Sequence, residues 1–87
     1  MTWSDSAGRH GIPHDEVLYA MSHAHKVVRE YGSPQVDGSP PTLFIGPSRF
    51  GTLEVLATIT PPNQVHIFHA MRLRELTRTA AGFTEEP

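Results

Sequence analysis

Three apolar, β-branched runs crowd the second half of this sequence, and the segments joining them leave little choice of topology. Thr42-Leu-Phe-Ile-Gly46, Thr52-Leu-Glu-Val-Leu-Ala-Thr-Ile59 and Gln64-Val-His-Ile-Phe-His-Ala-Met71 read as strands by composition and length. Only Pro47-Ser-Arg-Phe-Gly51 and Thr60-Pro-Pro-Asn63 lie between them, and both are rich in turn-forming residues. A parallel pairing needs a crossover of about a dozen residues or more. Consecutive runs are therefore expected to pair antiparallel.

Helical signals flank this block. Pro13 precedes His14-Asp-Glu16, which puts acidic side chains in a first turn, and Val17, Leu18, Met21 and Ala24 follow at helical spacing, so a helix is expected over 14–24. Lys26-Val-Val-Arg-Glu-Tyr31 could prolong it, but adjacent valines and a tyrosine favour a fourth strand. Residues 32–41 hold three prolines and two glycines and read as a loop. From Arg72 to Ala81, Leu73, Leu76 and Ala80 share one face of a second helix that Gly82 would end. Residues 1–13 read as an irregular start and 83–87 as a frayed tail. The expected class is α+β: an N-terminal helix, a four-stranded antiparallel meander and a C-terminal helix, in a single domain over 1–87. A doubly wound nucleotide-binding fold is excluded.

With 87 residues there is room for one modest core, and the absence of cysteine excludes disulfides, thiolate catalysis and Cys-type zinc sites. A domain this small without such staples commonly gains stability from a partner, so a homo- or hetero-oligomer is expected. No basic segment leading into an apolar run opens the chain, and no stretch is long enough to span a bilayer. We expect a cytoplasmic protein without membrane contact. The formal charge of −2 argues against a general nucleic-acid coater, although six histidines can add positive charge beside a phosphate.

The chemistry-bearing residues gather where the last strand meets the last helix. Alternation places His66 with Phe68 on one face of that strand, and His69 with Val65, Ile67 and Met71 on the other. In the preceding strand Glu54 shares a face with Leu56 and Thr58, which could hold it near His66, with Arg72 or Arg74 reaching in from the helix start. A carboxylate, an imidazole and guanidinium groups suit RNA cleavage by attack of the 2′-hydroxyl on the adjacent phosphate. A base removes that proton, an acid protonates the leaving 5′-oxygen, and cations stabilise the phosphoryl oxygens. The alternative is ordinary: polar-face histidines, and arginines on a solvated helix face paired with Glu75.

Metal chemistry has weaker support. His10 and His14 are interrupted by Pro13, His23-Ala-His25 lacks an obvious third ligand, and no His-Glu-x-x-His pattern occurs. Trp3 reads as a core or partner-contact residue. Gly46 and Gly51 flank a hairpin turn and lack the spacing of a phosphate loop.

Three stretches carry a family resemblance. Arg9-His-Gly-Ile-Pro-His-Asp-Glu-Val17, Leu43-Phe-Ile-Gly-Pro-Ser-Arg-Phe-Gly-Thr-Leu-Glu-Val-Leu56 and Val65-His-Ile-Phe-His-Ala-Met-Arg-Leu-Arg-Glu75 resemble, in order, the corresponding stretches of BrnT-like toxins from bacterial toxin–antitoxin pairs. The resemblance implies a RelE-like ribonuclease fold, RNA cleavage without a metal or other cofactor, and neutralisation by a cognate antitoxin protein. By matching position it implies Arg9, His10, Arg49, Arg72 and Arg74 as RNA contacts; His66, His69 and Glu54 are added from strand geometry, with Arg72 also a candidate catalytic group. A non-enzymatic protein-binding module with the same fold is the alternative, and it predicts that Glu54, His66 and Arg72 point apart.

Overall fold

The computed structural model describes residues 1–32 and 40–84. Its elements follow the order β1 (Thr2–Trp3), a short 3-10 helix (Asp5–Gly8), α1 (His14–Ser22), β2 (Lys26–Val28), β3 (Thr42–Gly46), β4 (Leu53–Thr60), β5 (Gln64–Arg72) and α2 (Glu75–Ala81). The class is α+β, as the sequence indicated. The sheet has five strands in the order β1-β5-β4-β3-β2. Strands β2 to β5 form the antiparallel meander, and β1 adds to its edge in parallel, with Thr2 opposite His66 and Trp3 opposite Ile67.

That fifth strand corrects the expected four-stranded meander and the irregular start. Two residues carry too little periodicity to register as a strand, and their pairing partner lies more than sixty positions away. The other boundaries shift for local reasons. β2 stops at Val28 rather than reaching Tyr31, and Glu30 turns the chain with φ of 57°. β5 runs to Arg72, so α2 starts at Glu75 and not at Arg72. Within α2 the buried residue is Thr77, while Leu76 is 65% exposed, reversing the expected apolar face. Phe83 does not belong to a frayed tail: its N–H bonds the Arg78 carbonyl and its ring stacks over His25. Residues 85–87 of that tail, and 33–39 of the expected loop, lie outside the described residues.

The sheet buries both faces, unequally. On one, Leu53, Val55, Ala57, Ile67 and Ala70 pack with Val17 and Ala20 of α1 and with Ala7 and Ile12. Gly46 permits the close approach of α1, because a Cβ there would collide with the Ala20 carbonyl. On the opposite face Leu43 and Ile45 are buried, with Ile45 paired to Glu54. Gly82, at φ of 66°, takes the left-handed conformation that ends α2.

Candidate active site

A β-bulge decides which side chains meet. Leu56 pairs with His69 and Ala57 pairs with Ile67, so Phe68 is an extra residue in β5. Strict alternation puts His66 and His69 on opposite faces; the bulge resets the phase. His66, opposite Thr58, and His69, opposite Leu56, therefore both share the face of Glu54. Nothing in the local sequence marks this position, since neither Phe68 nor its neighbours are glycine or proline.

Glu54 is the centre of the resulting cluster, and it is 1% exposed. Its Oε2 accepts from His69 Nε2 at 2.8 Å, Arg74 Nη2 at 2.7 Å and Arg74 Nε at 3.0 Å, and its Oε1 accepts the Arg74 backbone N–H at 2.9 Å. Burial alone would raise its pKa. The bonds from His69 and Arg74, with the Thr77 hydroxyl adding to them, outweigh that and hold it down at about 2. Arg74 is the residue before α2, so Glu54 also satisfies an N–H that no side-chain cap serves.

The cluster reaches the surface. The side chains of His69 and Arg74 are 20% and 44% exposed. With Nε2 committed to Glu54, Nδ1 of His69 makes no hydrogen bond among the described residues. His10, exposed after the 3-10 helix, sets its ring edge-on to His69 with centroids 6.0 Å apart.

The expected partners of Glu54 need correction. His66 does not approach it, and instead accepts or donates a 2.7 Å hydrogen bond with Thr2 Oγ1. Arg72 pairs with Leu53, on the face turned away from Glu54, and is exposed. The structure thus brings together Glu54, His69, Arg74 and His10, and separates His66 and Arg72 from them. Arg49 stands elsewhere, in the β3–β4 turn, where its backbone N–H and Nε bind Glu16 of α1 and its Nη2 lies 3.9 Å from Asp15. Arg9 is exposed at the end of the 3-10 helix.

The remaining histidines are engaged separately. His14 stacks on Trp3 with ring centroids 3.6 Å apart, and Trp3 packs against the core. His23 stacks on Tyr19, and His25 on Phe83. Among the described residues no group of three or more His, Asp or Glu is arranged to hold a metal ion. Among them, too, no helix is long and apolar enough to cross a membrane. Comparison of the chain with protein-family models, with curated proteins and with solved structures yields no match.

Proposed function

We propose that this protein is a toxin-like ribonuclease that cleaves RNA at the Glu54–His69–Arg74 cluster by 2′-hydroxyl attack. The observation that carries the reading is the 2.8 Å bond from a partly exposed imidazole to a buried, ionised carboxylate, with a guanidinium on the same oxygen. Glu54 fixes His69 as the tautomer protonated on Nε2, which frees Nδ1 to take the 2′-hydroxyl proton. The 2′-oxygen then bonds to phosphorus, the bond to the 5′-oxygen breaks, and a 2′,3′-cyclic phosphate and a 5′-hydroxyl result. Arg74 turns Nε and Nη2 to Glu54, leaving Nη1 for a phosphoryl oxygen. His10, the second imidazole of the cluster, protonates the leaving oxygen. No step calls for a metal or cofactor.

The ordered resemblance to BrnT-like toxins supports the same reading and adds a cognate antitoxin as the neutralising partner. Incubating the purified protein with RNA in EDTA tests it. Cleavage ending in cyclic phosphate is expected, falling at least about a hundredfold in His69→Ala. Intact RNA with the wild type would end the proposal. A non-enzymatic protein-binding role has two observations in its favour: Glu54, His66 and Arg72 stand apart, as that role predicts, and Leu18 and Tyr19 are exposed on α1. Under that role Leu18→Ser would abolish partner capture, and His69→Ala would leave it unchanged.

A further inference from the structure

We infer that the open groove beyond His69, on the Glu54 face of the sheet, receives one unpaired nucleobase of the bound strand. This deepens the ribonuclease reading and rests on it. The groove has a volume of about 680 Å³ and is lined by Thr2, Thr58, Thr60, Gln64, His66 and Phe68, among others. Apart from His66, no acidic or basic side chain lines it among the described residues. A phosphate or carboxylate would find no lysine or arginine side chain among the lining residues. A neutral, planar ring with hydrogen-bonding edges would find hydroxyl and amide partners, with two aromatic rings to lie against.

Two details point to an occupant. Thr58 is 5% exposed, and what it does expose opens onto the groove, where no hydrogen bond among the described residues engages its hydroxyl. A base edge entering the groove can therefore hydrogen-bond to it. The bulge that brings His69 to Glu54 also re-aims Phe68, whose carbonyl is held by Ser6 Oγ at 2.6 Å. One irregularity thus builds both the reactive cluster and the groove wall. Thr58 lies four positions along β4 from Glu54, or about 13 Å at about 3.3 Å per residue. A single strand crossing Arg74 can therefore place a neighbouring base in the groove.

The test uses a short, fluorescently labelled single-stranded RNA made uncleavable by 2′-O-methylation, together with versions lacking one base at successive positions. Wild type should bind the intact strand, and one abasic position should weaken binding about tenfold, the size expected of one stacked base. Thr58→Val and His66→Ala should each weaken binding of the intact strand and erase sensitivity to that position, with salt dependence unchanged. The inference is overturned if wild type does not bind, if no abasic position matters, or if both variants bind as wild type does. Failure of the catalytic reading is distinguishable: unmodified RNA would stay intact while base-dependent binding persisted.

Discussion

The protein contains the same glutamate–arginine fork twice, both near the β3–β4 turn, and the two copies behave differently. In each, one carboxylate oxygen accepts the arginine's backbone N–H and the other accepts its Nε: Glu16 with Arg49, Glu54 with Arg74. Both glutamates have lowered pKa values; for Glu16 the main cause is the Arg49 backbone N–H, followed by its side chain. The difference lies in surroundings. Arg49 is 74% exposed and the fork simply ties α1 to the β3–β4 turn. Glu54 is enclosed and carries a third partner, His69, so the second fork holds an imidazole in one tautomer as well as anchoring α2. Both carboxylates are buried, so a paired carboxylate is no mark of a site until a titratable neighbour joins it.

Substitution at the two glutamates should separate the forks most sharply. Glu54→Ala leaves Arg74 and His69 without their buried partner and should cost about 3–5 kcal/mol in urea unfolding; Glu16→Ala should cost clearly less, because the Arg49 side chain it leaves behind is largely exposed and stays solvated. Equal losses would mean the two forks are equivalent. The pH dependence follows next. A carboxyl that titrates near 2 when folded and at 4.5 when free contributes stability that is complete above 4.5 and is lost as pH falls through about 2. Urea midpoints should accordingly drop over that window in wild type, and Glu54→Gln should flatten much of the drop while Glu16→Gln should change it little.

Smaller effects should divide the arginines. Arg74→Lys keeps the charge but loses the fork geometry, and should lower RNA cleavage about tenfold or more, whereas Arg49→Lys should leave the rate within about twofold. A comparable loss at Arg49 would extend the RNA path to the β3–β4 turn. The smallest change is expected from Gly82→Ala, about 1 kcal/mol in thermal unfolding, from a left-handed position that suits glycine.

Much of this was readable from residue order, and the unread parts have identifiable causes. Glu54, Arg74 and His69 were each visible as candidates, because a charged residue inside an apolar strand and histidines beside a basic helix start stand out against the pattern. Their grouping was not visible. Period-two alternation assigns His66 to Glu54, and one inserted residue transfers that role to His69. Thr77 was hidden for a similar reason: apolar spacing favours Leu76 for burial, but Glu54 fixes the start of α2 and sets which side turns inward.

The sequence by itself determined the meander, the two helices and the short turns, since turn chemistry and hydrophobic period act over a few neighbouring residues. Tertiary structure decided the bulge at Phe68, the docking of β1 beside β5 and the phase of α2. Each depends on partners distant along the chain, where packing and the pairing of one buried carboxylate outweigh local preference.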